Sequence, residues 1–300
     1  ASPNPENPEG FYLAVELAKK EGADFILGSD PDADRVGLMV KGPDGEYIVL
    51  SGNQTGVLML DYVIGAKKRN GTLPPNATAL KTIVTTEMAR KVCEVNGVQM
   101  FDTFTGFKFM AEKKNALEAS GEGKVIFSYE ESYGYMLGDY VRDKDAVTAA
   151  LVATEMAAYY YDRGMTLYDA LQELYAKYGD YAEKTLNLVM PGLDGLQKMA
   201  KLMADLREKP LTEIAGVPVT LRKDYKDGTE EEVATGKKTQ MELKGSNVLK
   251  YKLADGTDLI VRPSGTEPKV KVYILTSGSS KEECAGKVAK YAAWSETLKG

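Results

Sequence analysis

Three carboxylates at alternate positions carry the first chemical signal in this 300-residue chain: Asp30, Asp32 and Asp34, within the segment SDPDADR. In an extended loop, a spacing of two puts side chains on one side. Three hard oxygen ligands so placed suit Mg²⁺, and a bare cluster would repel itself unless a divalent cation, with Arg35 adjacent, compensated. A solvated acidic turn built on Pro31 is the plainer alternative. An EF-hand does not fit, because its loop wants Gly at the sixth position and Glu at the twelfth, where Arg35 and Lys41 stand.

Four further segments hold candidate chemistry. FSYEESYGY presents Glu130, Glu131 and Ser132 beside Tyr129, Tyr133 and Tyr135. Carboxylates accept hydrogen bonds from polyols and flat rings cover a sugar, although a helix-start cap with scattered aromatics reads equally well. VRDKDAV packs Arg142, Asp143, Lys144 and Asp145 before an apolar run. By spacing alone it is a solvated helix start capped by Asp145, with Lys144 as general acid or base the alternative. RPSGTEPK carries Arg262, Ser264, Gly265, Thr266 and Lys269, the mixture of guanidinium, hydroxyls and close amides that holds a phosphate, in a stretch that would also make a tight hairpin. TFTGFKF, with Thr105, Gly106 and Lys108, is on its own an ordinary turn with a capping Thr.

Composition narrows the mechanisms. There is no histidine, which removes imidazole catalysis, Ser/His and Cys/His pairs and His-containing zinc sites, and leaves proton transfer to Lys, carboxylates, Tyr or substrate. Lys and Arg number 38 against 44 Asp and Glu, a net charge of −6, which argues against a general nucleic-acid or anionic-membrane surface; any anionic ligand must be held locally. Cys93 and Cys284 are isolated, so neither a disulfide framework nor a thiolate metal site is indicated, and a cytoplasmic setting is expected. No long apolar run and no signal-peptide pattern is present, and the Pro- and Asn-rich start reads as a linker.

The elements that must position these loops follow from periodicity. A helix is expected over 11–22, stopped by Gly22; a strand over DFILG; and a hairpin from Val36 to Leu50 turning at Pro43, Asp44 and Gly45, which leaves the acidic loop between strands. A helix over 53–69 ends in a Gly-, Pro- and Asn-rich stretch that marks a boundary near residue 76. Then strand, helix, strand, helix, strand alternate from ALKTIVTT to KVIFSYE, the pattern of parallel βαβ units, with helices over 145–162 and TLYDALQELYAKYG closing a second domain near 182. The remainder reads as antiparallel α+β, with one amphipathic helix and turns at Asp227/Gly228 and Asp255/Gly256.

SDPDADR, TGFKF, YEESYGY with the downstream VRDKD, and RPSGTEPK stand in the order seen in the alpha-D-phosphohexomutase family, and the chain most resembles its phosphoglucomutase branch over essentially its whole length. The resemblance implies mixed α/β domains around a central cleft, followed by a C-terminal α+β domain of TATA-box-binding-protein-like class. It divides this chain into 1–76, the end of a second domain with the metal loop; 77–182, a third domain with the sugar loop; and 183–300, a fourth with the phosphate loop. It implies Asp30, Asp32 and Asp34 as Mg²⁺ ligands, Arg35 beside the phosphoryl group and Lys144 near the reacting hydroxyl. Glu130 and Ser132 would contact the sugar, with Thr105, Gly106 and Lys108 completing the pocket. Arg262, Ser264, Gly265, Thr266 and Lys269 would hold the non-transferred phosphate.

The family's phosphoserine loop, of the TASHNP type, has no counterpart here, so the resemblance leads us to expect a C-terminal portion that lacks the serine-bearing domain and is inactive alone. Tyr135, where phosphomannomutase-type members have His, and the paired Glu130 and Glu131 favour glucose. The expected parent reaction interconverts glucose 1-phosphate and glucose 6-phosphate through phosphoserine and glucose 1,6-bisphosphate. Phosphomannomutase, phosphopentomutase, a non-catalytic phosphosugar-binding module and a metal-dependent phosphatase are the alternatives.

Overall fold

The computed structural model describes residues 3–190, 192, 194–265 and 267–299. These form two compact units, Ala1–Tyr178 and Gly179–Gly300. No helix among the described residues is long and apolar enough to cross a membrane.

The first unit begins with α1 (Tyr12–Glu21), which stops at Gly22 in the left-handed conformation as its sequence predicts. β1 (Phe25–Ser29), β2 (Val36–Lys41) and β3 (Tyr47–Val49) make an antiparallel meander, with the aspartate loop joining the first two strands. Helix α2 (Gly52–Arg69) is buried on several sides, including Val57, Leu58, Met59, Leu60 and Ile64, so it is an internal helix rather than a surface one. Its start is fixed by a capping box in which Ser51 and Gln54 exchange side-chain and backbone hydrogen bonds.

β4 (Ala77–Thr82), α3 (Met88–Asn96), β5 (Gln99–Thr103), α4 (Phe107–Ser120) and β6 (Lys124–Glu130) follow. β5 and β6 both pair parallel with β4, and the short β7 (Gly134–Met136) adds an antiparallel edge. The expected βαβ arrangement is thus present, and every residue of its central strand β4 is buried, as a strand covered on both faces must be. α5 (Ala146–Tyr161) and α6 (Leu167–Tyr178) complete the unit. The cap of α5 is Asp145, whose carboxylate accepts from the Val147 and Thr148 amides.

Among the described residues, the second unit is one antiparallel sheet with two α-helices. Its elements are β8 (Asp180–Val189), α7 (Gly195–Glu208), β9 (Glu213–Ile214), β10 (Val217–Asp224), β11 (Thr229–Glu232), β12 (Lys237–Gln240), β13 (Leu249–Leu253), β14 (Asp258–Pro263), β15 (Lys269–Gly278) and α8 (Lys281–Glu296). The main path runs β12-β11-β10-β13-β14-β15-β8, with β9 pairing β10. The core lies between sheet and helices, around Leu188, Met203, Leu259, Val261, Val272, Ile274 and Tyr291. Antiparallel α+β was expected; β8, β9, β11, β12 and α8 were not anticipated. β8 alternates only weakly, with Glu183, Lys184 and Asn187 breaking its apolar pattern, and α8 is rich in Ala, Lys and Glu with a broad polar surface.

Candidate functional site

The aspartate loop turns back on itself through Asp30. Its Oδ1 accepts from the backbone amides of Asp34 at 3.1 Å and Arg35 at 3.0 Å, while its own amide donates to the Arg35 carbonyl. Ala33, at φ 55°, supplies the left-handed residue that the turn requires. One carboxylate oxygen from each of Asp30, Asp32 and Asp34 can be chosen so that all three lie within 4.8 Å of one another. Burial alone would raise the pKa of Asp30, but the amides of Arg35 and Asp34 outweigh it and hold it below the ordinary value. Asp34 goes the other way: burial and the Asp30 carboxylate push it up despite the ammonium of Lys144, 3.0 Å from its Oδ2. Asp34 Oδ1 is buried without a hydrogen-bond partner. Arg35 Nε lies 4.0 Å from Asp30 and 3.8 Å from Asp34, so three carboxylates face the two cations Arg35 and Lys144, and that remaining deficit, with an oxygen that accepts no hydrogen bond, fits a hard divalent cation.

Two other segments close on this loop through the backbone. The Val36 amide donates to the Tyr133 carbonyl at 3.2 Å, Arg35 forms an antiparallel bridge with Gly134, and the Ala146 amide donates to the Ala33 carbonyl at 3.0 Å. The Asp145 amide donates to Tyr135. The aspartate loop, the 130–135 turn and the start of α5 are therefore one assembly. It places Lys144 on Asp34, and a Cβ built on Gly134 would sit 2.3 Å from Lys144 Cδ, so only glycine leaves room for the lysine stem. Phe107, the first residue of α4, lies under the Lys144 ammonium at 5.3 Å, which brings the Thr105–Lys108 turn against the same assembly. Burial works against the Lys144 charge, but Asp34 and Asp143 raise its pKa above the ordinary value.

Glu130 ends β6 and is 7% exposed. Burial, and then the neighbouring Glu131 charge, raise its pKa, while Lys144, the Ser132 hydroxyl and Arg35 partly offset the rise. Glu131 points elsewhere: its Oε2 accepts from the hydroxyls of Thr82 and Thr85, each at 3.1 Å. The two adjacent glutamates thus differ in role, one turned to the site and the other clamping the loop to the end of β4. Thr82 and Thr85, which sequence reasoning passed over, are buried hydroxyls, one the last residue of β4 and the other three residues on, and no local motif marked them as a pair. Helix α2 braces the same turn: a Cβ on Gly52 would lie 2.0 Å from the Glu131 carbonyl oxygen. Gly106 precedes α4 at φ 112°, and the exposed Lys108 lays its ammonium over the Phe109 ring at 4.8 Å.

The Arg262 loop belongs to the second unit and joins β14 to β15. The Ser264 amide donates to the Lys269 carbonyl at 2.8 Å, and the Glu267 amide donates to the Ser264 hydroxyl at 3.3 Å. Lys269 pairs with Glu267, and Arg262 donates to the Tyr273 hydroxyl at 3.3 Å. Gly265 is exposed; Thr266 lies outside the described residues. Register places Lys271 directly opposite Arg262, so their side chains share one face of the sheet. Lys271 is thus a second cation beside the loop, invisible until the strand pairing is known.

Three family models match the chain: phosphoglucomutase/phosphomannomutase alpha/beta/alpha domain II over residues 1–45, alpha/beta/alpha domain III over 51–178, and the C-terminal domain over 186–290. The chain is 34% identical over 277 residues to a Staphylococcus epidermidis phosphoglucomutase, which covers 92% of this chain and 50% of that protein. It is 32% identical over 287 residues to a Staphylococcus aureus phosphoglucomutase, covering 96% of this chain and 51% of that one. It therefore spans about half the length of these relatives. Its fold is similar to the open form of pp63/parafusin from Paramecium, with TM-score 0.68 at 18% identity, over 99% of this chain and 49% of the other. A phosphoglucomutase/phosphomannomutase family protein from Burkholderia thailandensis gives TM-score 0.61 at 17% identity, over 99% and 52%.

Proposed function

Because this chain belongs to the phosphoglucomutase/phosphomannomutase family, we propose that it is the metal-, sugar- and phosphate-binding part of a phosphoglucomutase that interconverts glucose 1-phosphate and glucose 6-phosphate. The observation that carries the reading is the backbone-locked assembly that sets Lys144 on Asp34 beside the buried Glu130.

Asp30, Asp32 and Asp34 would hold Mg²⁺, which when bound neutralises charge on a transferring phosphoryl group. Arg35 would lie beside that group. Glu130 accepts hydrogen bonds from ring hydroxyls, with Ser132 holding its carboxylate and Thr105, Gly106 and Lys108 edging the pocket. Lys144 Nζ carries the proton that balances charge at the reacting hydroxyl. In the second unit, Arg262, Ser264, Gly265, Thr266 and Lys269 would bind the non-transferred phosphate, with the Arg262 fork supplying most of the affinity. Of the chain's parts, 1–76 would supply the metal loop, 77–182 the sugar loop and 183–300 the phosphate loop.

The parent reaction then runs as two phosphoryl transfers, from a phosphoserine to the sugar and back, with glucose 1,6-bisphosphate turning round between them. Residues 1–300 contain no TASHNP-like serine loop, so the chain alone is expected to turn over no substrate. Calorimetric titration with glucose 1-phosphate and mannose 1-phosphate, each with and without Mg²⁺, tests the reading. Glucose-selective binding that is lost in Arg262→Ala supports it; equal binding of both sugars, or turnover by a preparation free of other phosphoglucomutase, contradicts it.

A further inference from the structure

Away from these loops, the first unit has a polar cavity of about 400 Å³ among α2, α5 and α6. On its wall the ring of Tyr159 meets two guanidiniums. Arg69 Cζ lies 4.2 Å from the ring centroid and Arg163 Cζ 3.5 Å. Tyr159 is itself fixed by edge-on contacts with Tyr62 and Tyr160, at 5.5 and 5.2 Å between centroids, so the ring is a rigid post that aims both forks.

Charge around the cavity is unbalanced. Neither guanidinium has a carboxylate within ion-pair distance among the described residues. Lys177 is a third cation on the lining, opposed by Asp61 and Glu173. Asp61 is already engaged, accepting from the Tyr178 hydroxyl at 2.5 Å and lying 3.9 Å from Lys177. That leaves Glu173 alone against two oriented arginines. Like charges gathered on one ring and left unpaired are arranged for an external anion, and planar forks held in place match phosphate oxygens two at a time.

We propose that this cavity is a second anion site, binding a small phosphate-bearing molecule through the forks of Arg69 and Arg163 with Lys177 as a supporting point charge. It is built from other residues than the metal, sugar and Arg262 loops, and it does not depend on the mutase reading. The test uses the Arg262→Ala chain, in which the phosphate loop binds only weakly, titrated calorimetrically with inorganic phosphate at fixed ionic strength. A single saturable site is expected, weakened at least about tenfold by Arg69→Ala with Arg163→Ala and only partly restored by Arg69→Lys with Arg163→Lys, which keep charge but lose the fork. Absence of saturable binding, or affinity unchanged in the alanine pair, overturns the proposal. Should the alanine pair fail to fold, arginine-directed modification of the unsubstituted chain decides. Phosphate should protect Arg69 and Arg163 in peptide mass mapping, and equal labelling with and without phosphate overturns the site.

Discussion

The aspartate loop of the first unit and the Arg262 loop of the second are both short turns between antiparallel strands, but they are held by different means. The first is locked by backbone hydrogen bonds to two segments a hundred or so residues away, Tyr133–Gly134 and Ala146, and braced indirectly by α2 through Gly52. The second closes mainly on itself, from Ser264 to Lys269, and among the described residues is tied outward by the Met190 amide, which donates to the Pro268 carbonyl at 2.8 Å, by Tyr273 and by the register partner Lys271. A site assembled from distant segments should lose its geometry when any one of them moves, whereas a turn that closes mainly on itself should fail chiefly when its own residues change.

The sharpest way to break this contrast is Gly52→Ala. Its new Cβ must displace the Glu131 backbone, so we expect at least about 3 kcal/mol of destabilisation in the first unit, together with loss of sugar selectivity. The sole tryptophan, Trp294, lies in the second unit and reports separately on it. Its fluorescence transition in urea should be unchanged, and a shift equal to that of the tyrosine near-UV signal would show that the units do not fail independently. Arg262→Ala is the local counterpart. It should weaken phosphate binding at the second unit by about 10- to 100-fold, the value of one charged hydrogen-bonding fork, while leaving Mg²⁺ binding by the aspartate loop intact in titration.

A smaller effect is expected from Thr85→Val, which removes one hydroxyl from the Glu131 clamp. Glucose 1-phosphate affinity should fall by about five- to tenfold, with the midpoint of the Trp294 transition unmoved. Unaltered affinity would mean that the clamp does not position Glu130. The smallest effect concerns pH. Asp139, on the loop that leads to Lys144, is held at about 2 by hydrogen bonds from Lys124 and the buried Lys114. Its folded value lies below its unfolded one, so its contribution is present above about pH 4 and is lost as pH falls toward 2. Asp139→Asn should flatten the acid limb of first-unit stability slightly, an effect reduced by salt because the carboxylate is exposed.

The same contrast explains what could be read in advance. RPSGTEPK is legible because its donors are neighbours in sequence, and the turn they make is the turn that holds them. SDPDADR is legible as a cluster for the same reason. Spacing alone favours a capped helix start for VRDKD, and the structure shows that cap, Asp145 on α5; the Lys144–Asp34 ion pair is a contact that spacing does not record. The separate work of Glu130 and Glu131 was not legible, since it depends on Thr82 and Thr85 at the end of a different strand. Lys271 was missed because its position beside Arg262 is a matter of strand register, which no local pattern records. Among the elements, the βαβ order of the first unit followed from periodicity, whereas β8 did not, its apolar alternation being interrupted by the half-buried Glu183 and the exposed Lys184 and Asn187.

β8 carries one more consequence, for the order in which the chain becomes usable during synthesis. It is the first strand of the second unit, and its partner along all ten residues is β15, the last. Everything from Met190 to Pro268 must leave the ribosome before this edge can pair, and closing so long a loop costs entropy that only the finished sheet repays. The first unit ends at Tyr178, and its own long closure, of the aspartate loop onto Tyr133, Gly134 and Ala146, is available earlier in synthesis. A nascent chain should therefore acquire protease resistance in the first unit well before the second, and the Arg262 loop, at the hairpin that completes the sheet, should be among the last parts to form.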